Sequence, residues 1–190
     1  WVAEQAPVVD ILVNNIGPRA RRPIAVLMPQ DFRDMLDGGL VGAHNLARLL
    51  APRMIERGGG YFLNTASAAG LLNQIGGAAY GVSKHAAVGF GEWLALTHQH
   101  QGIRVSMLCP QAVRTPMVGD SAASAAAAGD GLMEPERLAD FVIEGLADER
   151  FLILPHPEVL GYMRGKTADY DRWIGGMNRL HQRLAGASSA

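Results

Sequence analysis

Cysteine is nearly missing from this chain, with Cys109 its single example. One cysteine excludes an internal disulfide framework and fits a reducing compartment. An excess of either charge is missing too: seventeen Lys and Arg against eighteen Asp and Glu leave a net −1. That balance gives no electrostatic reason to expect nucleic acid or an anionic membrane as a partner. No apolar run approaches membrane-spanning length, and no signal peptide opens the sequence. The expectation is a soluble, cytoplasmic protein. Motifs of several chemistries are also missing, among them the glycine-x-serine-x-glycine elbow, the phosphate-binding lysine loop and the zinc-protease helix. His98 and His100 in "HQH" have the wrong spacing for one helix face and no nearby carboxylate or cysteine, so no metal is expected.

What is present reads as one globular domain over residues 1–190. The apolar share is 48% and the charged share 18%, ordinary values for a folded domain with a core. "VVDILV" (8–13), "YFLNTAS" (61–67), "GIRVSMLCP" (102–110) and "FLILPHP" (151–157) read as apolar strands. Helical periodicity covers 30–57, 78–98 and about 135–148, and "RGGG" (57–60) supplies glycines to end the first of these. Apolar strands alternating with long helices predict an α/β, Rossmann-like, doubly wound parallel sheet. "GDSAASAAAAGDG" (119–131) has two readings, a mobile loop and a lid over a site.

Chemistry-bearing residues gather where such a sheet binds ligands, at the carboxyl ends of its strands. Asn14-Asn15-Ile16-Gly17 closes the first strand, Ser67 follows the second and "CPQAVRTPM" (109–117) follows the third. Tyr80 and Lys84 lie four apart on the 78–98 helix and so share a face. A phenol is a poor base at neutrality, and an adjacent ammonium favours its ionised form. With a serine hydroxyl to hold a substrate oxygen, the set suits exchange between an alcohol and a carbonyl. That exchange needs a hydride carrier such as a nicotinamide. Each feature also has an ordinary reading: a snorkelling lysine, a serine capping a turn and a proline ending a strand.

Taken together, these residues resemble the short-chain dehydrogenase/reductase family over nearly the whole chain. Ser67 stands thirteen residues before Tyr80, and the NNxG turn and the proline-x-x-V-x-T segment follow in family order. The resemblance implies Tyr80 as general acid/base, Lys84 as the group lowering its pKa and binding the nicotinamide ribose, and Ser67 as the orienter of the substrate oxygen. It implies Asn14 and Gly17 on the ribose side of NAD or NADP, with Val113 and Thr115 at the carboxamide. It further implies a homo-oligomer, dimer or tetramer, packed through the two long helices, where Gly81, Gly89 and Gly91 permit close approach. Leu71, Leu72, Ile75, Met117 and Val118 would make the substrate side apolar.

The chain departs from the family pattern in two main places. Nothing before Asn14 resembles the glycine-rich turn that cradles the cofactor pyrophosphate, and Trp1–Ala6 reads as the tail of a helix. About two βα units of roughly 30 residues each are therefore expected to be truncated, cleaved or unseen, leaving an apolar strand edge exposed. Gly39, in "LDGGLVGAHN" (36–45), stands where the family has a relay asparagine. Water in the gap, an impaired relay and a locally remodelled helix are the three alternatives. Smaller features are Gln111, read as a substrate contact or a solvated turn residue, and Arg19, Arg21 and Arg22, read as a solvated loop or a phosphate contact. The amphipathic tail (162–184), with Met163, Trp173, Ile174, Met177, Leu180 and Leu184 apolar, suits core packing or a subunit contact.

The sequence thus points to an NAD(P)-dependent oxidoreductase acting on a small secondary alcohol or ketone. A non-catalytic binding or assembly subunit of the same fold is the alternative. An epimerase or dehydratase fits less well, because the usual separate substrate domain has no room.

Overall fold

A computed structural model describes residues 8–17, 24–116, 118 and 128–187. Trp1–Ala6, the three clustered arginines, Met117 and most of the 119–131 loop lie outside the described residues. Among the described residues no helix is long and apolar enough to cross a membrane.

Four parallel strands form the sheet in the order β1 (Ile11–Asn14), β2 (Gly60–Thr65), β3 (Ile103–Leu108) and β4 (Leu152–Ile153). Strand alternation then decides what each face buries. Phe62 on β2 and Ile103, Val105 and Met107 on β3 face one way, against Leu50 and Met54 of α2 (Gly42–Glu56) and Leu94 of α4 (Ala78–His98). Leu63, Leu108 and Ile153 face the other way, against Leu138, Phe141, Val142 and Leu146 of α5 (Pro135–Ala147). Helices cover both faces, as the uniformly apolar strands require. Burying one such side chain contributes roughly 1.5–3 kcal/mol.

Several predicted elements are shorter in the structure. Hydrogen bonding continues beyond β2 and β3, with Ala66 N–H donating to Leu108 O and Ala68 N–H to Pro110 O, both at 2.8 Å. The backbone there stays paired although it leaves strand geometry. The strand expected over 151–157 contracts to two residues, because Pro155 and Pro157 have no N–H to offer a ladder. Among the described residues β1 is one of the two edge strands, and Ile11 and Val13 are about half exposed on it, at 50% and 55%.

The helix expected over 30–57 is three pieces. α1 (Pro29–Leu36) starts at Pro29, with the Asp31 carboxylate accepting the Met28 N–H at 2.8 Å. α2 follows after a π-helical turn over Asp37–Val41, in which Gly42 N–H donates to Asp37 O five residues back. Two adjacent glycines weaken ordinary helix there by roughly 1 kcal/mol each. Local remodelling is thus the alternative realised at Gly39. Gly58 and Gly59, with φ of +93° and +145°, then turn the chain into β2.

The tail forms two helices, α6 (Glu158–Ala168) and α7 (Tyr170–Ala187). Asp169 is extended between them, and its carboxylate accepts the Arg172 N–H at 2.9 Å, capping α7. The short α3 (Ala69–Leu72) packs onto α4 so closely that a Cβ at Gly70 would lie 2.6 Å from the Lys84 carbonyl oxygen.

Candidate active site

A cavity of about 1110 Å³ opens at the carboxyl ends of β2 and β3, and Ser67, Tyr80, Lys84, Gly17, Val113 and Thr115 all line it. The predicted set is therefore brought together, with one exception described below.

Tyr80 and Lys84 sit one turn apart on α4, and the Lys84 Nζ lies 5.7 Å from the centre of the Tyr80 ring. The lysine is buried, 6% exposed, and its ammonium donates to the Thr65 carbonyl at 3.0 Å. Burial pulls its pKa below the ordinary lysine range, against a smaller upward influence from Cys109. The Cys109 thiol shares that dry environment, and burial pushes it up to about 12. Gly17 lies directly over the ammonium, since a Cβ there would stand 3.2 Å from Nζ.

Ser67 does what its ordinary reading requires and also faces the cavity. Its Oγ accepts the Ala69 N–H at 3.1 Å, capping α3, and donates to Pro110 O at 3.4 Å. The second of these bonds is long for an O–H donor, so the hydroxyl is weakly held.

Asn14 is the exception. It pairs in register with Asn64 on β2, so both side chains share the sheet face that meets α2. Its Nδ2 donates to Asn64 Oδ1 at 2.7 Å. Both residues line a separate cavity of about 60 Å³, together with Gly38, Gly39 and Gly42 of the remodelled helix. Val13, its neighbour of opposite parity, lines the large cavity instead.

The apolar residues divide in the same way. Leu72, Ile75 and Val118 line the large cavity, whereas Leu71 packs into the core between sheet and helices. Gly81 and Gly91 serve contacts inside the chain, because a Cβ at Gly81 would meet the Asn73 side chain and one at Gly91 the Met107 side chain. Only Gly89 of the three has open space around it.

At one part of the cavity wall Gln111 Nε2 and the Tyr162 hydroxyl both donate to the Asp130 carboxylate, each at 2.8 Å. Its bond to Asp130, with smaller contributions from burial and the Asp130 and Glu158 charges, holds the Tyr162 phenol above its usual range. Behind Gln111 stands His156, 4% exposed, whose Nδ1 accepts the Gln111 N–H at 3.2 Å. Burial keeps its pKa below the ordinary histidine range, against opposing influences from Glu158, Asp130 and the Ala112 backbone. Among the described residues no group of three His, Cys, Asp or Glu is placed to hold a metal ion.

The family model for short chain dehydrogenases matches residues 1–126 of this sequence. The chain belongs to the short-chain dehydrogenase family. It is 31% identical over 170 residues to 1-deoxy-11-beta-hydroxypentalenate dehydrogenase of Streptomyces exfoliatus, covering 87% of this chain and 62% of that protein. A short-chain dehydrogenase structure from Streptomyces avermitilis superposes with a TM-score of 0.73 at 26% identity, covering 93% of this chain and 72% of that one. A 4-hydroxyisoleucine dehydrogenase complexed with NADH gives a TM-score of 0.67 at 27% identity, covering 81% of this chain and 71% of that one.

In this family member, sequence reasoning missed two groups of cavity residues. Trp173, Met177 and Leu180 of α7 line the cavity, and their i, i+4, i+7 spacing was visible in the tail. Asp130 and Tyr162 left no comparable signal, because the bonds that Asp130 accepts from Gln111 and from Tyr162 span nineteen and thirty-two positions.

Proposed function

We propose that this chain supplies the proton-transfer part of an NAD(P)-dependent oxidoreductase site that interconverts a secondary alcohol and a ketone, within one domain. The carrying observation is the convergence of Ser67, Tyr80 and Lys84 on one cavity wall, with the ammonium buried and tied to Thr65. A buried ammonium is costly to fold around, and a perturbed charge in a cleft favours a chemical use.

In the oxidising direction the Tyr80 hydroxyl oxygen takes the proton of the substrate alcohol. In the reducing direction it returns a proton to the ketone oxygen. The Lys84 ammonium stabilises negative charge developing on the phenolic oxygen during either transfer. Ser67 gives up its long bond to Pro110 and orients the substrate oxygen.

The residues present fit a nicotinamide dinucleotide. The space that a Cβ at Gly17 would fill lies beside a Lys84 ammonium with donors beyond the one given to Thr65. Gly17, Lys84, Val113 and Thr115 are the residues that would hold it, with Asn14 contributing through the main chain of its turn. NAD or NADP, when bound, supplies or accepts the hydride. The NADH complex of the similar 4-hydroxyisoleucine dehydrogenase supports this reading.

We read the protein as a cytoplasmic homo-oligomer, dimer or tetramer. A chain with a single cysteine, Cys109, fits a reducing compartment. Leu49 on α2 and Trp93 and Leu96 on α4 are large apolar side chains left exposed, at 54%, 53% and 85%.

The test is Tyr80→Phe, assayed by NAD(P)H oxidation with a panel of ketones. Loss of turnover with an unchanged melting temperature is expected. Wild-type turnover in that variant would overturn the catalytic assignment.

A further inference from the structure

His156 takes no part in the proton transfer, yet it is buried behind the cavity wall, 4% exposed, in "LPHPE". Pro155 before it is fully buried, and Pro157 after it opens α6. Prolines on both sides leave the residue little backbone freedom. The His156 carbonyl also accepts the Val159 N–H at 3.2 Å. The ring is held as a fixed post.

Its two nitrogens are used unequally. Nδ1 accepts the Gln111 N–H at 3.2 Å, which puts the proton of the neutral ring on Nε2. Nε2 is sealed from solvent and makes no hydrogen bond among the described residues. An unmet buried donor costs stability, and a leucine in this place would avoid that cost. What leucine could not supply is the acceptor at Nδ1.

The N–H that His156 holds belongs to the same peptide group as the Pro110 carbonyl. No described peptide bond is cis, so this carbonyl and this N–H point in opposite directions. The carbonyl accepts the Ala68 N–H at 2.8 Å and the Ser67 hydroxyl at 3.4 Å. Proline fixes φ at position 110 but leaves ψ free. The peptide plane can therefore rock about the line between its two Cα atoms unless both edges are held. A bond donated from the N–H edge also polarises the carbonyl and strengthens the bonds it accepts.

We propose that His156 is a positioning residue for Ser67, acting through the Pro110–Gln111 peptide. Its Nδ1 holds one edge of that group, so that the carbonyl on the other edge holds the Ser67 hydroxyl at the cavity wall. This rests on the reading of Ser67 as the orienter of the substrate oxygen. Only the neutral ring can do this, because a protonated Nδ1 has no lone pair to offer. Among the described residues the charges facing the ring are Glu158 of α6 and Asp130; both favour the proton, as does the Ala112 backbone, and burial outweighs them.

Amide NMR reads both edges of the peptide without turnover. In the wild type the Gln111 and Ala68 amide signals are expected to titrate with one midpoint, that of the His156 ring carbons, below pH 6.5. At about pH 7.5, where the ring is neutral, His156→Leu should displace both signals. His156→Asn, whose Oδ1 falls where Nδ1 stands, should keep the Ala68 signal near its wild-type position and abolish the titration. Ketone turnover should fall about fivefold in His156→Leu, the worth of one hydrogen bond, and recover in His156→Asn. An Ala68 signal that ignores the His156 titration would overturn the inference, as would undiminished turnover in a folded His156→Leu protein. Where the leucine variant does not fold, the wild-type titration decides alone. An active Tyr80→Phe variant would sink the catalytic reading and leave the shared titration standing, whereas independent Gln111 and Ala68 midpoints would sink this inference alone.

Discussion

The Lys84 ammonium is fastened to the Thr65 carbonyl at 3.0 Å, joining the middle of α4 to the last residue of β2. This bond fixes the charge beside Tyr80 by way of the sheet rather than through another side chain. Replacing the lysine separates its structural and chemical roles. Lys84→Met keeps the buried stem and removes the charge, giving up one hydrogen bond worth about 1 kcal/mol and relieving the cost of desolvating an ammonium. The melting temperature should change little, while turnover falls by about 10²-fold or more, the usual worth of a lost acid–base partner. A variant that unfolds, or one that turns over normally, would contradict this division of roles.

Cys109 offers a test of how dry that environment is. Its thiol is fully buried, and burial raises its pKa from 9.0 to about 12. The folded state therefore holds the proton after the unfolded chain has released it. Stability should fall as pH rises from about 9 toward 12. Lys84 works in the opposite direction, because its folded pKa is lowered and stability rises with pH up to its unfolded value. Comparing denaturation midpoints of wild type and Cys109→Ala across this range isolates the thiol: the wild type should lose more stability above pH 9. Iodoacetamide at pH 8 should leave the folded protein unmodified.

Much of the site was legible because it is local. The helix expected over 78–98 is Ala78–His98, Tyr80 and Lys84 share a face by their spacing of four, and Ser67, singled out with them by the family resemblance, lines the same cavity. The Asn14 side chain faces away from the large cavity for a reason the strand itself contains. Alternation puts Val13 and Asn14 on opposite faces, and the register with Asn64 assigns Asn14 to the helix side. The break at Asp169 had a readable sign, an N-cap residue inside the amphipathic tail. The glycines at 38 and 39 announced a weakened helix without stating that a π turn would result. The contacts of Gln111 with Asp130 and His156 depend on tertiary packing across loops, and no periodicity encodes them.

His156 should make the protein acid-sensitive in a defined window. Its burial lowers the folded pKa below the ordinary value of 6.5. Between those two values the unfolded chain binds the extra proton, so stability is complete above about pH 6.5 and is lost as pH falls through the window. Protonation also removes the Nδ1 lone pair that accepts the Gln111 N–H. His156→Gln, which cannot titrate, should flatten the stability profile just below pH 6.5. An equally steep profile in that variant would assign the acid sensitivity to other groups.

Two glycines of this region differ in what surrounds them, and alanine at each should have opposite effects. A Cβ at Gly70 would stand 2.6 Å from the Lys84 carbonyl oxygen and 3.0 Å from its carbonyl carbon. Both are helix backbone atoms that cannot rotate away, so α3 must lift from α4. Gly70→Ala is expected to cost about 1–3 kcal/mol and to lower turnover, because Ser67 caps the helix that moves. At Gly89 no heavy atom lies within 4 Å of an added Cβ. Gly89→Ala should stabilise α4 by up to about 1 kcal/mol through the intrinsic helix preference. Thermal denaturation of both variants is the measurement. A Gly70→Ala protein as stable as wild type would mean that α3 does not pack against Lys84 at this distance in solution.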